Sequence, residues 1–180
     1  MKKIAVLPFL FITILLVFGA SKLYSQNLSI DELVSLRKND IAYAEEFLST
    51  KGWGLLTSEH GEDYKFSSVS FAYKKSSYDD KAESFLTYLF NPLEVRRIII
   101  QIHKKDTYNN YLLKIKNLGC KLVDNSIGDN EIVKTYRGKT TTFRFRITTS
   151  KEEIGNSTST IYTLLIISNE DYDLNYVGNE

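Results

Sequence analysis

Lys51-Gly52-Trp53-Gly54-Leu55-Leu56-Thr57-Ser58-Glu59-His60-Gly61-Glu62 returns, rewritten, as Leu118-Gly119-Cys120-Lys121-Leu122-Val123-Asp124-Asn125-Ser126-Ile127-Gly128-Asp129. Gly52 aligns with Gly119 and Gly61 with Gly128 at one offset, and an acid follows each second glycine. Leu55-Leu56 fall on Leu122-Val123. In both copies a helical stretch runs into the first glycine and four strand-like stretches come after it. Self-similarity at a fixed offset of about 67 residues reads as a duplicated structural unit.

Working outward, the first helical stretch has a clear start. Ser29 with Glu32 three residues on is a capping box. Ile30, Leu33, Ile41, Ala44, Phe47 and Leu48 form an apolar stripe near helical spacing. Arg37 to Asp40 is polar throughout and marks a break into two shorter helices. The second helix is predicted to start after Asp106, with Tyr108, Tyr111, Leu112, Ile115 and Leu118 on one face. Gly52 and Gly119 suit the position just past a helix end, where a positive φ is usual.

The strand candidates of the first copy are Trp53–Ser58, Tyr64–Lys75, Glu83–Phe90 and Glu94–Lys104. Those of the second are Cys120–Asn125, Glu131–Arg137, Thr141–Thr149 and Thr158–Ser168. Most are rich in β-branched and aromatic residues, and links as short as Arg137-Gly138-Lys139 favour antiparallel hairpins. Thr141, Phe143, Phe145 and Ile147 alternate with Thr142, Arg144, Arg146 and Thr148. Ile98, Ile100 and Ile102 alternate with Arg97, Ile99, Gln101 and His103. Strands of this kind bury one face. The expected fold is α+β: a helix followed by four antiparallel strands, written twice, forming one extended sheet with both helices on one face.

The ends frame this unit pair. Met1-Lys2-Lys3, an uncharged apolar run from Ile4 to Phe18, and the small, polar Gly19–Ser25 follow the order of a secretory signal peptide. The run is shorter than the roughly 20 residues that span a bilayer, and Pro8 interrupts it. Cleavage is expected after Ser25, or after Ala20. The organisation is then 1–25 signal peptide, 26–105 first unit, 106–168 second unit and 169–180 an acidic, non-periodic tail read as a loosely packed terminus. No transmembrane segment is expected after cleavage, and the destination is the periplasm or the medium.

Removing Lys2, Lys3 and Lys22 with the signal subtracts three positive charges from the net +1 and leaves −2. That balance carries no footprint for nucleic acid. Cys120 is the only cysteine, so an exported domain here has no internal disulfide; Cys120 reads as a small buried hydrophobe.

Catalytic and metal-binding signatures are sparse. His60 and His103 are the only histidines, and neither has His or Cys at metal-ligand spacing. Asp79-Asp80 and the oxygen-rich Asp124–Glu131 stretch both read as solvated hairpin loops, without the spacing of a calcium loop. No phosphate loop, dinucleotide fingerprint or nucleophile elbow is present. No catalytic residue, metal or cofactor is assigned. A hydrolase built on carboxylates gathered in three dimensions, or a structural subunit of an envelope assembly, are the alternatives.

Positive evidence concerns the surface. The chain holds 12 tyrosines, and Tyr and Arg are enriched at interface hot spots. Tyr64, Tyr73, Tyr78, Tyr88, Tyr136 and Tyr162 fall in or beside strand candidates. Arg97, Arg144, Arg146, Tyr88 and Tyr162 form the candidate interaction face. The competing reading packs the tyrosines at sheet margins with only their hydroxyls wet.

The doubled helix-plus-four-strand order over residues 29–168, with the paired glycines Gly52/Gly119 and Gly61/Gly128, resembles the two-module exported proteins typified by β-lactamase inhibitor protein. It is also similar to the smaller helix-plus-sheet module of BamE-type outer-membrane assembly lipoproteins. The inhibitors carry a disulfide in each module and the lipoproteins an N-terminal lipidated cysteine, and this chain has neither. No functional residue carries over. The resemblance implies an interaction role by analogy of fold alone. The expected function is that of an exported, non-enzymatic binding module for a protein or envelope glycan.

Overall fold

A computed structural model describes residues 28–79, 81–151 and 158–177. The signal-peptide reading of 1–25 and the link at 155–157 lie outside the described residues. In chain order the elements are α1 (Ile30–Lys38), α2 (Ile41–Thr50), β1 (Trp53–Glu59), β2 (Ser67–Tyr73), β3 (Ser84–Phe90), β4 (Arg96–Ile102), α3 (Lys105–Asn117), β5 (Lys121–Ile127), β6 (Glu131–Arg137), β7 (Thr141–Lys151), β8 (Thr158–Ser168) and α4 (Asn169–Asn175). The fold is α+β. All eight strands join one antiparallel sheet in the order β1-β2-β3-β4-β8-β7-β6-β5.

Local chemistry sets the element ends. The Glu32 amide donates to Ser29 Oγ at 3.2 Å and the Ser29 amide to Glu32 Oε2 at 2.7 Å, closing the capping box. Asn39 adopts an extended backbone and stops α1. Asp40 then caps α2 by accepting from the Tyr43 amide at 2.9 Å. This is the break expected between Arg37 and Asp40. Gly52 and Gly119 follow α2 and α3 at φ 79° and 78°. That left-handed conformation strains any residue with a Cβ.

The strands interdigitate one apolar face. Leu86 pairs with Ile100, Ile100 with Leu164, and Leu164 with Phe145. One row away run Tyr88, Ile98, Ile166 and Phe143. These residues share a core with Leu33 and Leu36 of α1, Leu48 of α2, and Tyr108 and Ile115 of α3. Leu33, Leu36, Leu48 and Ile115 are fully enclosed, each stabilising the fold by about 2 kcal/mol relative to exposure.

Both edge strands are irregular at matching places. The β1–β2 register slips between Leu55 and Thr57, and the β5–β6 register between Leu122 and Asp124. A bulge on an edge strand twists its free backbone groups away from a further strand.

The structure corrects the expectation of a loose tail. Residues 169–175 form α4. Ser168 caps it by accepting from the Asp171 amide at 3.0 Å. Asn169 Nδ2 donates to the carbonyls of Gly138 and Lys139 at 3.1 and 3.2 Å, and its Oδ1 accepts from Thr142 Oγ1 at 2.8 Å. Asp171 and Tyr172 are buried, and Leu174 stays exposed.

Candidate functional site

The side of the sheet opposite the buried Ile98, Ile100, Phe143 and Phe145 side chains, here called the outer face, is decided by parity. Ile98, Ile100 and Ile102 point into the core, so Arg97, Ile99 and Gln101 point outward. On β7, Phe143 and Phe145 point in, so Arg144 and Arg146 point out. Register then sets Ile99 beside Leu165, Leu165 beside Arg144, and Arg144 beside Thr135. The next row brings Thr163 beside Arg146.

Arg97 lies at the margin of this array. Its Nε and Nη2 donate to Asp171 Oδ2 and Oδ1 at 2.8 and 2.7 Å. This two-bond fork is the strong geometry for an arginine and a carboxylate. The Phe66 ring stacks 4.3 Å from its guanidinium carbon. The Tyr176 ring, just past α4, lies 5.0 Å from the Arg144 guanidinium and 6.0 Å from that of Arg97, within cation–π reach. Tyr176 stacks in turn on Tyr172. Arg146 is largely exposed, and its Nε lies 3.1 Å from Glu131 Oε2 in an ion pair. Farther along, Arg137 forks onto Asp173.

These groups enclose a groove of about 210 Å³ lined by Leu89, Arg97, Ile99, Arg144, Arg146, Thr163, Leu165 and Tyr176. Its floor is aliphatic, and every charged residue lining it is an arginine. Such a surface can hold an anion against hydrocarbon. Asp171 and Glu131 engage Arg97 and Arg146 from outside the lining.

Three of the five candidate interaction residues therefore meet, and two do not. Tyr88 and Tyr162 are removed from the interaction face. Tyr88 has the parity of Leu86, is 0% exposed, and donates its hydroxyl to the Asn39 carbonyl at 2.6 Å. Burial pushes its phenol up to about 12. Tyr162 has the parity of Leu164 and stacks on Tyr108 at 4.6 Å inside the core. Tyr136 is buried too, whereas Tyr64 and Tyr78 stand in exposed loops. The sequence reading did not flag Asp171, Tyr176 or Phe66. The Ser168-x-x-Asp171 capping pattern was the available signal for α4.

Elsewhere two carboxylates are held by ion pairs. Glu83 is held low chiefly by Lys104, with Lys74 adding to it. Asp173 is held low chiefly by Arg137. Burial pushes the Cys120 thiol up, and the side chain packs at the core margin against Gly138. Among the described residues no three His, Cys, Asp or Glu side chains gather as a metal site. No described helix is long and apolar enough to cross a membrane. Comparison with protein-family models, with curated proteins and with solved structures returns no match.

Proposed function

We propose that this chain is an exported, non-enzymatic binding module that meets a protein or envelope component through the outer face of its sheet. The observation that carries this reading is the convergence of Arg97, Arg144 and Arg146 from two strands on one groove with an aliphatic floor. Arginine beside half-buried apolar and aromatic surface is the composition of binding hot spots. The charged signal-like N-terminus in the sequence supports export.

The same reading includes a duplicated fold, with both helical layers on one face. Its supports are the matched edge bulges at Leu55/Thr57 and Leu122/Asp124, and the left-handed Gly52 and Gly119. Leu48 and Ile115, both fully buried, stand at the same offset of 67. The second face is covered only in part, by α4 and Tyr176, and its remainder is left to meet a partner.

The test is capture of partners from envelope and culture supernatant by the mature chain and by an R144E/R146E variant. The variant is expected to lose the partner while its circular dichroism spectrum stays unchanged. Equal capture by both would remove the outer face from the reading.

A further inference from the structure

We infer that the groove between Tyr176 and strands β4, β8 and β7 is a binding site for a small organic carboxylate carrying a short hydrocarbon body. This deepens the proposed function and rests on its choice of the outer face. The class of ligand follows from three features. The floor of Leu89, Ile99 and Leu165 is aliphatic and half-buried, so the ligand body is apolar. The charged lining is arginine alone, so its head is an anion. The third feature is the contact the fold already makes there, a carboxylate forked onto Arg97 beside an aromatic ring. A carboxylate matches the planar donor fork of arginine.

Size narrows the choice. At about 210 Å³ the groove is smaller than the roughly 300–1,000 Å³ of pockets that enclose drug-sized molecules. It admits a body of several carbons. Arg146 supplies the accessible end: its side chain is 59% exposed and its partner Glu131 44% exposed. A surface pair of this kind is worth little and exchanges readily. In this arrangement the incoming head group displaces Glu131 from Arg146 and settles between Arg146 and Arg144. Its body lies along Leu165 and Ile99 toward Tyr176.

The experiment is a titration of the full mature chain with hexanoate, 1-hexanol, hexylammonium, acetate and inorganic phosphate. It is followed by amide chemical shifts and calorimetry. Hexanoate is expected to bind with a Kd below about 1 mM, moving amides of β4, β7, β8 and Tyr176. Hexanol, hexylammonium and acetate should bind at least tenfold more weakly, since each lacks the head or the body. R146Q, an exposed and structurally mild change, should weaken hexanoate about tenfold. E131Q frees Arg146 and should tighten it two- to threefold. Binding should fall as salt rises.

Acetate or phosphate binding as tightly as hexanoate would make this a plain anion site and overturn the inference. So would shifts confined to another part of the molecule, no binding at 10 mM, or indifference to both R146Q and E131Q. A partner that R144E/R146E fails to capture, together with no hexanoate binding, leaves the proposed function standing and this inference refuted. Hexanoate binding with partner capture intact in R144E/R146E gives the reverse outcome.

Discussion

Arg97 and Asp171 meet through two hydrogen bonds, 2.8 and 2.7 Å long, across 74 residues of chain. The Asp171 side chain is 2% exposed and that of Arg97 15%. The pair ties α4 to β4. Removing one partner of a buried pair strands the other charge, and Asp171→Ala is expected to cost about 3 kcal/mol in urea unfolding. The double variant R97M/D171A should lose less than the two single losses combined. Arg137→Gln, which breaks the exposed fork to Asp173, should leave the midpoint unchanged.

The capping box predicts a pH-dependent term. Burial alone would push the Glu32 carboxyl up, but the Lys51 ammonium and the Ser29 amide and hydroxyl outweigh it and hold it below its ordinary 4.5. A lowered folded-state pKa adds stability that is present above the unfolded value and is lost as the pH falls through the folded one. Ser29→Ala should cost about 1 kcal/mol at pH 7. The gap between wild type and Glu32→Gln, read by urea unfolding at several pH values, should be widest above the ordinary value of 4.5 and shrink as the pH falls below it. A gap constant across that range would mean the carboxylate charge contributes nothing.

Gly52 and Gly119 predict a matched pair of penalties. A Cβ at Gly119 meets nothing within 4 Å, and one at Gly52 meets only the Tyr73 ring at 3.9 Å. The cost of alanine is therefore backbone strain alone, about 1–2 kcal/mol at each site. Thermal unfolding of G52A and G119A should show shifts of similar size. Gly138→Ala differs in kind, because its Cβ would lie 2.9 Å from Cys120 Sγ and 3.2 Å from the Thr141 carbonyl.

Tyr88→Phe should cost about 1 kcal/mol through loss of the hydrogen bond to the Asn39 carbonyl. Its phenol, raised to about 12 by burial, stays protonated and donating throughout the neutral range. The same substitution should leave hexanoate affinity unchanged, because the ring lies in the core. A tenfold loss of affinity in a fully folded Y88F protein would return Tyr88 to the interaction face.

Most of the element order was legible because short strands with strict alternation and capped helices write their signals locally. β6 and β8 occupy the predicted residues, and the helix break at Asn39 is where the polar run stands. β2 is shorter than predicted: Tyr64 sits in the turn before it, and the strand begins at Ser67. Parity was also readable, which is why Arg97, Arg144 and Arg146 share a face. Their convergence was not readable, since it depends on β4 pairing with β8, a register set by packing of the whole sheet. Tyr162 shows the limit: its parity with Leu164 was available, but the enrichment of tyrosine at interfaces placed it on the interaction face instead. A seven-residue acidic helix such as α4 has too few turns to declare itself by periodicity. Its stability comes from Arg97 and from the backbone of Gly138 and Lys139, which lie elsewhere in sequence.

The seam between β4 and β8 has a kinetic consequence. Every other strand pairing joins consecutive strands, whereas Ile100 meets Leu164 across 64 residues. Each four-strand meander can zip from its own hairpins, on the microsecond scale of such events. The seam must wait for a long loop to close before its contacts return any energy. Closure of β4 on β8 is thus the expected late, rate-limiting step of folding. A chain cut at the His103–Lys104 connection should still assemble from its two pieces, at a rate that rises with their concentration.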